Sequence, residues 1–350
     1  MKRIKTLGLL GTGVIGAGWA ARALHAGINV IASDINPKME KWINEAIENA
    51  LPSLKSLTEG INLPPKGNFT FTTDPISMSK QVDFIQENIP EVLDLKRDSL
   101  KAIADTTNKD IIISSSTSGF MPTELQKDMK FPERFIVGHP FNPVYLCPLV
   151  EIVGGKETSK DIKEIAKNFY ESIGMHALMV RKEVPGHISD RLQEAMWREI
   201  LHALNDDIAT TGELDESIVY GPGLRWPIMG MNQIYMIGGG EGGARHFIKQ
   251  FGPTLEWPWS HLKAPKLNQE IINRFVEGVE TQAAGKSVRE MEKIRDECLV
   301  AIQRVLAKYD MGAGKTLNKF KAKKNNLFAN FIFCCLKFIQ CFSSTHIILS

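Results

Sequence analysis

Cysteine is scarce: five residues in 350, at Cys147, Cys298, Cys334, Cys335 and Cys341. None pairs at a spacing suited to zinc or to a disulfide framework, so a reducing, cytoplasmic setting is the expectation. No sign of charge dominates either. There are 42 Lys and Arg against 40 Asp and Glu, for a formal net charge of +2, which argues for no polyanionic partner. C2H2 spacing and aromatic–basic RNA-binding runs are both lacking, and nucleic-acid binding is set aside. No apolar run reaches the ~20 residues that a membrane-crossing helix needs. The apolar opening is not read as a secretory signal, because its glycines have another use. What is there, 43% hydrophobic and 23% charged, describes a globular protein long enough for two domains.

Short apolar runs alternate with helical patterns through the first half. "IKTLGLLG", "NVIASD", "FTFTT", "VDFIQEN", "DIIISSST", "RFIVGH" and "LVEIVGG" read as strands, and "KMEKWINEAIENALPSL" reads as a helix between two of them. Such alternation predicts an α/β fold, a doubly wound, mostly parallel sheet of Rossmann type. The texture changes near Lys182 to Gly186. Beyond it Ile188, Leu192, Met196, Ile200, Leu204 and Ile208 recur every four residues, the mark of a long amphipathic helix. The expectation is a sheet domain over 1–183 and an all-α domain over 184–312, whose tryptophans invite homodimer packing. Residues 313–350 turn basic, then apolar and cysteine-rich. They read as a disordered or loosely packed tail, with a misread gene end or a membrane-surface anchor as alternatives.

"GTGVIG" places Gly11, Thr12, Gly13, Val14, Ile15 and Gly16 between a strand and a helix. In that context the glycines have separate tasks. Gly11 allows a tight turn, Gly13 lets the backbone approach a pyrophosphate, and Gly16 lets helix and strand pack closely. The helix N-terminus then offers N–H groups to the phosphates. The second strand ends at Asp34, whose carboxylate can accept from both ribose hydroxyls and would repel a 2′-phosphate. NAD, rather than NADP, is the expected cofactor.

"GHPFNPVYLCPLVEIV" sets His139 at a strand end and Glu151 inside the next apolar strand. A carboxylate buried there is costly unless paired. The prolines between allow the chain to reverse, so the two can meet. Glu151 would then orient the imidazole, and the other ring nitrogen would take a proton from an alcohol. From residue types alone, a core histidine beside an unrelated glutamate stays equally open.

Together "GLLGTGVIGAGWA", "SSSTSG" and "GHPFNPVYLCPLVEIV" resemble the L-3-hydroxyacyl-CoA dehydrogenase family over roughly residues 3 to 310. The resemblance implies that His139 is the general base and Glu151 its orienting partner. It also implies that Ser118 and Asn142 lie near the substrate oxygen and nicotinamide, and that Glu91 and Lys96 lie on the cofactor side. One departure bears on substrate. Where the fatty-acid enzymes carry an asparagine before the arginine of "PGHISDRL", this chain has Asp190, which suits a cationic substrate better than an acyl-CoA. "PGHISDRL", "GPGLRWPIMG" and "RHFIKQFGPTLEWPWSHL" resemble the branch that oxidises L-carnitine, a 3-hydroxy acid with a quaternary ammonium. A sibling branch oxidising gulonate shares part of "GLRW", and a non-catalytic crystallin-like protein is the reading from another class. Aromatic faces hold such cations, and Trp197, Trp226, Tyr235, Phe247, Trp257 and Trp259 are candidates. Arg225 offers a bidentate fork to a substrate carboxylate; a structural arginine is equally open.

Overall fold

The computed structural model describes residues 4–261 and 268–327. The chain divides into two units, one of residues up to Val184 together with those from Lys315, the other Pro185–Gly314. The first is built on one eight-stranded sheet. Its strands are β1 (Thr6–Leu10), β2 (Asn29–Ser33), β3 (Phe69–Thr72), β4 (Phe84–Glu87), β5 (Ile112–Ser115), β6 (Phe135–Pro140), β7 (Leu149–Gly154) and β8 (His176–Met179). They lie in the order β3-β2-β1-β4-β5-β6-β7-β8. The first six are parallel, the order of a doubly wound dinucleotide fold.

Helices α1 (Val14–His25), α2 (Met39–Leu57), α3 (Pro75–Ser79), α4 (Leu93–Thr106), α5 (Pro122–Leu125) and α6 (Lys160–Ser172) fill the connections. The strands read as continuous apolar runs because both faces of the sheet are covered. Phe84, Ile112, Ile136 and Ile152 point to one face, where they pack with Trp19 and Leu24 of α1 and Ile43 of α2. Their neighbours Ile85, Ile113, Val137 and Val153 point to the other and meet Leu100 and Ile103 of α4. The period of two along each strand thus divides one sheet between two cores. Between β6 and β7 the chain has only the short, proline-rich segment 141–148, too little for a crossover, and the pair is antiparallel. In its register His139 stands directly opposite Glu151. Helix α6 then carries the chain across to β8, parallel to β7.

The second unit is helical: α7 (Ser189–Asn205), α8 (Thr211–Val219), α9 (Met231–Gly238), α10 (Gly243–Phe251), α11 (Gln269–Ala283) and α12 (Val288–Lys308). The four-residue period of α7 does mark a helix, but the stripe is not uniformly covered. Leu201 and Leu204 are buried, whereas Leu192 is 69% exposed. Among the described residues no helix is long and apolar enough to cross a membrane.

The expectation of a loose tail needs correcting for part of its length. Residues 312–327 form a helix, and Phe320, 6% exposed, joins the core on the α1 side of the sheet. Lys324 Nζ donates to the Ala26 carbonyl at 3.2 Å. One aromatic on a lysine-rich helix is enough to seat it, a signal that composition hides. Residues 328–350, with Cys334, Cys335 and Cys341, lie outside the described residues.

Candidate active site

Two features of the "GTGVIG" segment decide what it can bind. Gly11 turns the chain out of β1 at φ +90°, a left-handed conformation that favours glycine, and a side chain on Gly16 would collide with the Gly11 carbonyl. Above Gly13 there is open space, and α1 begins there with no side-chain cap and no acidic residue in its first turn. The loop leaves bare N–H groups facing room for a phosphate. Val14 is exposed, Ile15 half-buried and Thr12 buried beside it.

Asp34 sits just past β2 and faces this loop. Its Oδ2 accepts from the Thr12 N–H at 3.1 Å and the Thr12 hydroxyl at 2.9 Å, and Oδ1 accepts from the Asn36 N–H at 3.1 Å. A carboxylate has about four acceptor positions, so capacity remains for ribose hydroxyls. The open loop and the half-buried acid fit a dinucleotide without a 2′-phosphate.

His139, one residue before the end of β6, has its Nδ1 3.0 Å from Glu151 Oε2, and both side chains are buried. Phe141 packs edge-on against the imidazole, with ring centroids 4.8 Å apart. An ionised carboxylate on Nδ1 makes that nitrogen the N–H donor in the neutral ring and stabilises the ring when it is protonated at Nε2. Asn142, exposed, follows in the loop, where its carbonyl faces Cys147 Sγ at 3.9 Å. Buried Arg22 braces that loop from α1. Its Nε donates to the Val144 carbonyl at 2.8 Å, and burial pushes the guanidinium down to about 10.

Ser118 is exposed in the segment after β5, and the residues on either side of it are tied to Glu91. Glu91 Oε1 accepts from the Thr117 hydroxyl and, at 3.3 Å, from the Gly119 N–H. Lys96, expected on the cofactor side, lies in α4 beneath Glu91. It is fully buried, and its ammonium reaches Glu87 at 2.8 Å, the Ile89 carbonyl at 3.0 Å and Glu91 at 3.3 Å. Those three acceptors match the three N–H directions of an ammonium.

Asp190, Arg225 and Trp226 belong to the second unit. Asp190, in the first turn of α7, accepts from Gln193 Nε2 at 2.9 Å. Arg225 is exposed at the end of a 3-10 turn, Pro222–Arg225. Trp226 is half-buried with its indole N–H enclosed and without a hydrogen-bond partner among the described residues. Tyr235 stacks on Phe247 at 4.5 Å, and Trp257 meets Trp259 edge-on at 5.1 Å.

Two polar groups escaped sequence reasoning. Gln86, buried in β4, donates to the Gly138 carbonyl at 3.1 Å and to Ser116 Oγ at 2.8 Å, and accepts from the Tyr170 hydroxyl at 2.6 Å. Ser116 in turn donates to Asn88, whose amide lies 3.5 Å from the Gly11 carbonyl. The strand bearing His139 and the glycine loop therefore share one chain of hydrogen bonds, buried at Gln86 and partly buried at Ser116 and Asn88. Glu87 was the other omission. Its neighbours Gln86 and Asn88 are polar, so the sequence lacks the apolar flanks that single out Glu151, and only the pairing of β4 with β1 and β5 shows that it is buried.

The model of the 3-hydroxyacyl-CoA dehydrogenase NAD binding domain matches residues 6–184, and that of the 3-hydroxyacyl-CoA dehydrogenase C-terminal domain matches residues 186–279. An L-carnitine dehydrogenase of Bacillus cereus is 48% identical over 89% of this chain and 95% of its own length. One of Pseudomonas aeruginosa is 48% identical over 85% and 93%. Among solved structures, an NAD+-dependent FHMPC 5-dehydrogenase superposes with a TM-score of 0.75 at 25% identity, covering 87% of this chain and 99% of that one. A Ralstonia eutropha (S)-3-hydroxybutyryl-CoA dehydrogenase shares the fold, with a TM-score of 0.55 at 24% identity over 81% and 95%. With both family models matched in succession and relatives aligned along most of their length, this chain belongs to the 3-hydroxyacyl-CoA dehydrogenase family of NAD-dependent oxidoreductases.

Proposed function

We propose that this chain oxidises the 3-hydroxyl of L-carnitine to 3-dehydrocarnitine, with His139 as general base and Glu151 as its orienting partner. The similarity to L-carnitine dehydrogenases at 46–48% identity over nearly their whole length carries the substrate, and the buried His139–Glu151 pair supports the chemistry. NAD, when bound, supplies the hydride acceptor. The glycine loop from Gly11 to Gly16 would hold its pyrophosphate, and Asp34 its adenosine ribose. His139 Nε2 takes the hydroxyl proton as the carbon–hydrogen bond breaks and the carbonyl forms. Glu151 steadies the resulting imidazolium from Nδ1. Ser118 and Asn142 are assigned to the substrate oxygen and the nicotinamide side.

Residues 1–183 are assigned to NAD binding and 184–312 to substrate and dimerisation. Asp190, Arg225 and Trp226 are the residues assigned to substrate, the acid toward the trimethylammonium and the guanidinium toward the carboxylate. A homodimer is supported by the apolar side chains that the second unit leaves to water, Leu192, Leu255 and Trp259 among them. Cytoplasmic residence is part of the same reading. A panel of L-carnitine, L-3-hydroxybutyryl-CoA and L-gulonate, followed by NADH absorbance, tests the assignment. L-Carnitine should lead in kcat/KM by roughly tenfold or more, a gap of about 1.4 kcal/mol in transition-state stabilisation. A win for the thioester would reject the substrate while leaving the His139–Glu151 chemistry standing.

A further inference from the structure

Five residues, Lys96, Glu87, Ser115, Thr117 and Glu91, close a ring next to Ser118 through four side-chain contacts and one backbone N–H. Lys96 Nζ donates to Glu87 Oε1 at 2.8 Å. Glu87 Oε2 accepts from the Ser115 hydroxyl at 2.5 Å, and Ser115 Oγ accepts from the Thr117 N–H at 3.2 Å. The Thr117 hydroxyl donates to Glu91 Oε1, and Glu91 Oε2 returns to Lys96 at 3.3 Å. Ser118 lies just outside the ring, with Thr117 and Gly119 on either side both anchored to the same Glu91 oxygen.

Glu87 and Lys96 are buried to within about one percent of complete exclusion from water. Burial raises the Glu87 carboxyl above its usual range, and Lys96, Ser115 and the Ile89 N–H pull against that rise. For stability alone an apolar pair of similar volume would serve as well or better. A polar pair adds direction: the Lys96 ammonium reaches Glu87, the Ile89 carbonyl and Glu91 at once, a set of directed contacts that no apolar pair provides. Neither end of the pair is open to a ligand, while Glu91, half-exposed, and Ser118, exposed, are.

We infer that Glu87 and Lys96 are a buried positioning pair which, through Glu91 and Thr117, sets the place of Ser118 against the substrate's reacting oxygen. The inference rests on the reading of Ser118 given above. It assigns Glu87 a role and moves Lys96 from cofactor contact to support.

The test is a double-mutant cycle on the full chain with Glu87→Gln, Ser118→Ala and the double variant. It is read on whichever panel substrate the wild type oxidises, so that a wrong substrate assignment leaves the cycle intact. Each single change should lower kcat by roughly 10-fold or more while the Kd for NAD moves less than about threefold. The double variant should fall no more than about threefold below the worse single one. Effects that multiply, a silent Ser118→Ala, or a loss confined to NAD affinity would each overturn the inference. Glu91→Gln, at the solvent end of the ring, repeats the cycle should Glu87→Gln not fold. Amide hydrogen exchange gives a readout independent of turnover. Exchange at Gly119 should quicken in Glu87→Gln by about tenfold relative to the strands; unchanged protection there would also overturn it.

Discussion

The hydroxyl and the backbone N–H of Thr12 both donate to a single oxygen of Asp34, at 2.9 and 3.1 Å. This double contact holds the carboxylate against the glycine loop, and the proposed function gives it the adenosine ribose to bind. Asp34→Ala should therefore weaken NAD and narrow the preference over NADP, and Thr12→Val should do so to a smaller degree. Both effects are read as kcat/KM for the two dinucleotides. A wild-type protein that uses NADP as readily as NAD would contradict the role given to Asp34.

Phe320 makes the C-terminal helix part of the first unit's core. Phe320→Ala should cost about 3 kcal/mol of unfolding free energy, the usual range for a buried phenylalanine. Ending the chain near Asn318 should destabilise by at least as much. Denaturant unfolding measures both. A truncated protein as stable as the full chain would show that the helix does not pack there in solution.

His25 gives the fold a pH dependence of predictable sign. Burial, with Arg22, Lys55 and Lys324 nearby, pushes its imidazole down from 6.5 to about 4, and its Nε2 lies 2.7 Å from Thr58 Oγ1. The unfolded chain then binds the proton more readily between pH 6.5 and 4. This contribution to stability is complete above pH 6.5 and is lost as pH falls toward 4. His25→Gln keeps a donor for Thr58 without the titration. Its Tm should fall less steeply than that of the wild type across this window; parallel Tm curves would contradict the assignment.

Much of this architecture is legible in the sequence because it follows from local pattern. The β6 and β7 runs, the prolines between them and a carboxylate in an apolar strand are enough to suggest that His139 meets Glu151. The reach of a side chain is harder to read. Lys96 matches a family position by residue type, but its burial against Glu87 depends on the pairing of β4 with β5 and on α4 folding back over both. The stripe on α7 marks a helix without saying which neighbours cover it. Phe320 was missed for a related reason: one apolar contact among lysines has no periodicity to reveal it.

The most direct test of the account is the turnover of Glu151→Gln on L-carnitine with NAD, beside His139→Ala. Glutamine keeps an acceptor for the Nδ1–H and so preserves the orientation of the ring, but it removes the charge that stabilises the imidazolium. The account predicts that kcat falls by roughly 10²–10⁴-fold in both variants, while the Kd for NAD stays within about threefold because the glycine loop is untouched. Turnover within a few-fold of wild type in either variant would contradict the assignment of His139 and Glu151.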